Sequence, residues 1–260
     1  MAYSNSQDPA TRQRIVRSPA LNVPVEARSE RLPEVLRAAL NEINRDSKWH
    51  MFCHQTSEDA VTWTAFYLLQ RAGQLRLVAD VAGLPLERAE EPALLLWGVP
   101  VQPSPAGSRA HERLIEICER LGESRQRRSE PDVILVWPDL VVVIEVKHTS
   151  PNDCAKREKP FDRYFDQHLF AAPLPEVVQL GYYELVRNWR IGAELAGERR
   201  FALVNLGSSA VLGDAARFAA QLGQTDRRRF LQVTWAQLLD AAEPLVPSLA
   251  AFAAERELRR

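Results

Sequence analysis

The chain has only three cysteines, Cys53, Cys118 and Cys154, with no CxxC pair among them. An odd, scattered set excludes a disulfide framework and a zinc knuckle, and makes a reducing, cytoplasmic setting the default expectation. No apolar run reaches the ~18 residues that a bilayer crossing needs. The opening MAYSNSQDPATRQR lacks the basic-then-apolar pattern of a secretory signal. An excess of one charge is missing too: 33 Lys and Arg face 34 Asp and Glu, a formal net charge of −1. That balance excludes a polycation that holds nucleic acid by bulk charge alone. There is no GxSxG, no GxGxxG behind a strand and no P-loop, so serine-hydrolase, dinucleotide and NTPase readings lack support.

What is present is ordinary globular material, 46% hydrophobic and 26% charged, which excludes global disorder. Residues 1–28 are polar with Pro9, Pro19 and Pro24 and read as an arm. Residues 29–260 read as a single α/β domain, with no repeat and no linker. Apolar spacing predicts helices over 31–44, 57–72 and 110–121, the second begun by a Thr56/Asp59 capping box and the third stopped by Gly122. Further helices are expected near 176–195, 215–222 and 234–242, with short strands at 92–97 and 200–205. Residues 148–173 look irregular and locally basic.

The most informative stretch is Pro131–Lys147, PDVILVWPDLVVVIEVK. Two β-branched runs flank Pro138-Asp139, a hairpin pattern. With a two-residue loop there, paired positions sum to 277, so Asp132 faces Glu145 on the same side of the sheet as Lys147. Two opposed carboxylates repel each other, and a hard divalent cation such as Mg²⁺ removes that penalty. An adjacent ammonium orients or deprotonates a water, or stabilises charge developing on a phosphate. An ExK tripeptide alone is common by chance. The Pro-Asp opening the paired strand makes the set read as a metal-assisted phosphodiester site.

Pro131-Asp132, twelve residues, then Glu145-Val146-Lys147 resembles the PD-(D/E)XK nuclease superfamily, the restriction-endonuclease-like fold. The resemblance implies an αβββαβ core over about residues 57–207, a mixed central sheet flanked by helices, with extra helices before it. It implies Asp132, Glu145 and the Val146 carbonyl as Mg²⁺ ligands, Mn²⁺ substituting, and Lys147 as catalytic base or electrostatic helper. Many members carry an acid on the first core helix, and Glu58 is the candidate for supporting the metal, with Asp59 and Glu112 as competitors. Gln179-Leu-Gly-Tyr-Tyr183 is similar to the Q-x-x-x-Y of RecB-type members; on one helix, Gln179 and Tyr183 share a face, and the resemblance implies that both belong to the catalytic site and orient Lys147 or the phosphate backbone.

The basic segments flanking the hairpin supply the expected phosphate contacts, Arg125, Arg127 and Arg128 before it and Lys156, Arg157 and Lys159 after it. Arg199-Arg200 and Arg227–Arg229 read as solvated surface. His50, Cys53 and His54 fall within about one helical turn; zinc would need a further ligand, for which Asp59 or Glu58 could serve, and the plainer reading is an amphipathic segment entering a helix. The expectation is a Mg²⁺-dependent nuclease acting on DNA, in defence against foreign DNA or in DNA processing, with no membrane partner. A homodimer is the arrangement by which restriction-type enzymes often cut both strands. The rivals are a catalytically silent nucleic-acid-binding module on the same fold, an RNA-directed nuclease, and a structural protein with a surface Glu145–Lys147 pair.

Overall fold

The computed structural model describes residues 15–88, 90–152, 159–213 and 215–259. Helices α1 (Arg31–Ala38), α2 (Arg45–Phe52), α3 (Glu58–Arg71) and α4 (Arg76–Val81) precede strands β1 (Ala93–Leu96) and β2 (Val99–Pro100). Helix α5 (Pro105–Arg120) leads into β3 (Val133–Val136) and β4 (Leu140–Val146). Short α6 (Phe161–Tyr164) and α7 (Leu174–Leu180) come before α8 (Tyr183–Ala196), which crosses to β5 (Arg200–Gly207). Helices α9 (Ser209–Leu212) and α10 (Ala215–Ala219), strand β6 (Arg228–Thr234), and helices α11 (Trp235–Ala242) and α12 (Pro247–Glu255) follow. Among the described residues no helix is long and apolar enough to cross a membrane.

The six strands form one mixed sheet in the order β2-β1-β3-β4-β5-β6. Antiparallel pairing joins β1 to β3 and β3 to β4, whereas β4, β5 and β6 run parallel. Central β4 reads LVVVIEV because both its faces are covered. Leu140, Val142, Ile144 and Val146 pack with Trp63 and Phe66 of α3 and Trp235 of α11. Val141 and Val143 pack with Leu114 of α5 and Trp189 of α8. Gly192 lets α8 lie close to the sheet, since a β-carbon there would collide with Phe201 and Val143.

Several boundaries differ from those the spacing predicts. Ser57 caps α3, its hydroxyl accepting from the Ala60 N–H at 3.2 Å, one residue later than the Thr56/Asp59 box. The helix expected over 176–195 breaks in two at Gly181 (φ 86°) and Tyr182 (φ 58°). Strand β6 was hidden in a stretch that reads as basic surface, because an edge strand buries only Phe230 and Val233 along its length. The polar arm needs correcting within residues 15–28: Val16, Val23 and Ala27 are buried. There Asn22 donates to the Phe52 carbonyl at 2.6 Å and accepts from Arg256 at 2.6 Å. Residues 1–14 lie outside the described residues.

Candidate active site

The hairpin register fixes the first two acids. Val133 pairs with Ile144 and Val136 with Val141, and the Trp137 N–H donates to the Leu140 carbonyl at 2.8 Å. Positions therefore sum to 277, as a Pro138-Asp139 loop dictates. Main-chain bonded pairs alternate with non-bonded ones in an antiparallel ladder. Trp137/Leu140, Leu135/Val142 and Val133/Ile144 take the bonded places, so Asp132 and Glu145 meet as a non-bonded pair. In such pairs the α-carbons approach to about 4.5 Å and side chains are closest.

One step further Val146 faces Pro131, which has no N–H. The Asp132 carboxylate accepts the Val146 N–H instead, at 2.8 Å, and Pro131 offers the Val146 carbonyl no donor. The Trp97 N–H holds the Asp132 carbonyl at 3.1 Å and so ties this residue to the end of β1.

Lys147 is anchored through its backbone. Its N–H donates to Leu206 at 2.7 Å, and the Trp235 indole donates to its carbonyl at 3.0 Å. The ammonium lies 2.6 Å from Glu145 Oε1 and 2.9 Å from Glu184 Oε2. Asn188 donates to the other Glu145 oxygen at 2.7 Å. Glu145 is 4% and Lys147 6% exposed, so this is a buried pair.

Glu58 opens α3, where the helix N-terminus favours a carboxylate. Its Oε2 accepts from the His148 N–H at 2.7 Å, which places it at the residue after Lys147. Asp59 is engaged elsewhere, 3.0 Å from the Lys48 ammonium, itself 3.6 Å from Glu130. Glu112 is exposed on α5, outside this group. Of the three helix acids, Glu58 is the one bonded to the end of the ExK strand.

The charges strain against their burial. Burial pushes the Asp132 carboxyl well above its usual range, and the Glu145 charge adds to it. Burial also raises Glu145, against the pull of Lys147. Glu58 is pushed up to about 7 by burial, opposed by Lys147 and the His148 N–H. Burial alone would lower Lys147, but Glu145, Glu184, Asp132 and Glu58 outweigh it and hold the ammonium charged. Glu184 is lowered despite burial, through Lys147 and Arg187.

Other expected residues fall differently. Gln179 is exposed on α7 while Tyr183 begins α8, so the break at Gly181-Tyr182 removes the shared helix face. The Tyr183 ring packs edge-on against Phe161 and Tyr164, with the Lys159 ammonium 5.7 Å from its centre. Arg125 and Arg127 are exposed, but Arg128 is 8% exposed and bonded to Glu119 at 2.6 Å, so it is not free for a phosphate. Lys156 and Arg157 lie outside the described residues.

Sequence reasoning missed Glu184, Arg187 and Asn188, which α8 supplies to the site. Their spacing of three and four residues is the signal: it sets polar side chains together on a helix that otherwise buries Leu185, Val186 and Trp189. The break at Gly181 sets the phase that turns this face to the sheet.

Among the described residues no three His, Cys, Asp or Glu side chains converge as a metal cage, and His50, Cys53 and His54 are no exception. The hairpin offers a different donor set, two carboxylates and a carbonyl left free of a main-chain donor. Those are hard oxygen ligands of the kind Mg²⁺ accepts while keeping several waters. Comparison with models of known families, with curated proteins and with solved structures finds no match for this chain.

Proposed function

We propose that this protein is a metal-dependent nuclease that hydrolyses phosphodiester bonds of DNA on a restriction-endonuclease-like core. What carries the reading is the register that, extended one step past Val133–Ile144, opposes Asp132 to Glu145, with the Lys147 ammonium on Glu145. The order α3, β1, β3, β4, α8, β5 supports it, since it reads αβββαβ once α4, β2 and α5 before the hairpin and the short α6 and α7 after it are set aside as insertions.

Asp132, Glu145 and the Val146 carbonyl would hold Mg²⁺ or Mn²⁺ in this reading. Such an ion polarises a phosphoryl oxygen and lowers the pKa of bound water. Lys147, held charged between Glu145 and Glu184, acts as an electrostatic helper that orients the water and steadies charge on the phosphate. Glu58, bonded to the His148 N–H beside Lys147 and pushed up to about 7 by burial, is better suited to accept a proton. Exposed Arg125, Arg127 and Lys159 supply phosphate contacts.

The test is purified protein with plasmid, linear and single-stranded DNA in Mg²⁺ or Mn²⁺, beside matched RNA and DNA oligonucleotides. Cleavage is expected on DNA, dependent on metal, and abolished in Asp132→Ala and Lys147→Ala. Cleavage that survives either substitution overturns the reading.

A further inference from the structure

One polar row crosses the parallel half of the sheet. Glu145 of β4 stands in register with Asn205 of β5, and Asn205 with Gln232 of β6. The neighbouring row on the same face, Val143, Leu203 and Phe230, is wholly apolar and buried. Gln232 reaches solvent at the sheet edge, but Asn205 is 0% exposed and neither its Oδ1 nor its Nδ2 has a hydrogen-bond partner.

A buried amide with nothing bonded to it is unfavourable, and a leucine of similar size would remove the penalty. Its place explains its presence. Neighbouring strands lie about 4.8 Å apart, so the amide stands beside the Glu145 carboxylate. That carboxylate has roughly four acceptor positions, and Lys147 and Asn188 occupy one each. A water between the two side chains would accept from the Asn205 Nδ2 and donate to the Glu145 carboxylate, giving each of those groups a partner.

We propose that Asn205 is a positioning residue of this centre: its amide holds an ordered water against the Glu145 carboxylate, beside the Lys147 ammonium. The part the water plays in cleavage rests on the nuclease reading; the water itself does not.

The experiment uses the full isotope-labelled chain and looks for magnetisation transfer from a long-lived water to the Asn205 side-chain amide. Asn205→Leu is then compared with wild type in melting temperature and steady-state cleavage, with Asn205→Ser as a milder variant should the leucine disturb folding. Transfer is expected in wild type. Asn205→Leu should melt no lower than wild type, yet lose about tenfold in kcat at unchanged KM, the worth of one lost hydrogen bond. Asn205→Ser should fall between them. No long-lived water at Asn205, or full kcat in the variants, overturns the proposal. A wild-type chain that holds the water but cleaves nothing overturns the nuclease reading instead.

Discussion

Asp132 stands opposite Glu145 one step beyond the last β3–β4 pair, Val133 with Ile144, two acids at the end of strands otherwise built of Val, Ile and Leu. Like charges directly opposed destabilise a sheet, and burial raises the cost of ionising both. Lys147 relieves Glu145 from one side. Asp132 has only the Val146 N–H beside it, and burial pushes its carboxyl well above the usual range.

A divalent cation should therefore stabilise the fold as well as serve the chemistry. Mg²⁺ or Mn²⁺ at a hundredfold excess over its dissociation constant should add about 2.7 kcal/mol to unfolding. Asp132→Asn should stabilise the metal-free chain and abolish that gain. Urea titrations with and without metal measure both effects; an equal metal gain in the variant contradicts the assignment of Asp132 as a ligand.

The pH dependence has a definite sign. Burial pushes the Glu58 carboxyl up to about 7 in the folded chain from an ordinary 4.5, so the folded chain binds the extra proton between those values. Stability of the metal-free chain should be fullest below about pH 4.5 for this group and fall as pH rises to about 7, by up to about 3 kcal/mol. Asp132 and Glu145 are raised too and act in the same direction. Glu58→Gln should flatten that part of the curve and be the more stable protein at pH 8. Unfolding free energies at pH 5, 6, 7 and 8 in chelator decide it; parallel curves for wild type and variant refute it.

How much of this was legible in the sequence follows from the range of each interaction. The hairpin, its register and the shared face of Asp132, Glu145 and Lys147 are local consequences of a two-residue loop and period-two alternation. Glu58 was within reach as the first acid of a capped helix, but choosing it over Asp59 required the His148 and Lys48 contacts, which join segments far apart in sequence. The α8 face was not legible, because Gly181 and Tyr182 take positive φ and reset the helix phase. A four-residue spacing counted through that break pairs Gln179 with Tyr183, while Glu184 and Asn188 reach the site. Strand β6 escaped since its exposed edge carries Arg228 and Arg229.

Glu184 tests that phase directly. It is one of two acids on the Lys147 ammonium and its side chain is 33% exposed, so Glu184→Gln should fold normally. With one anchor gone the ammonium leans on Glu145, and cleavage should fall about tenfold or more in kcat. Gln179→Ala, on the exposed face of α7, should cleave as wild type does. The reverse ranking shows that the helix break does not decide which residues serve the site.

Removing Lys147 should expose how the pair is held together. Lys147→Met leaves Glu145 buried beside Glu184 without its bonded cation, which should cost about 3–5 kcal/mol of stability. Adding Glu145→Gln to that variant should restore most of the loss, because the unpaired charge is then gone. A double-mutant cycle by chemical denaturation reads the coupling directly. Strict additivity of the two substitutions means the ion pair contributes nothing.

The near-even charge of the chain sets the last expectation, for binding. With a net charge of −1, a nuclease of the proposed kind should engage DNA through a few local cations and not through bulk attraction, so affinity for arbitrary sequences should be weak and strongly salt-dependent. The two exposed arginines in front of the hairpin differ from the third, although Arg125 also lies 3.6 Å from Glu42. Arg125 and Arg127 are exposed, and replacing either with Ala should weaken binding evenly across sequences and reduce the salt slope by about 1. Arg128 is buried against Glu119 and packs the loop that enters β3, so Arg128→Ala should cost about 1–2 kcal/mol of stability and leave the slope unchanged. Fluorescence anisotropy with a labelled duplex at 50 and 200 mM salt, in Ca²⁺ to withhold cleavage, separates the two effects. Tight binding that ignores salt would mean that the chain recognises nucleic acid through contacts other than these cations.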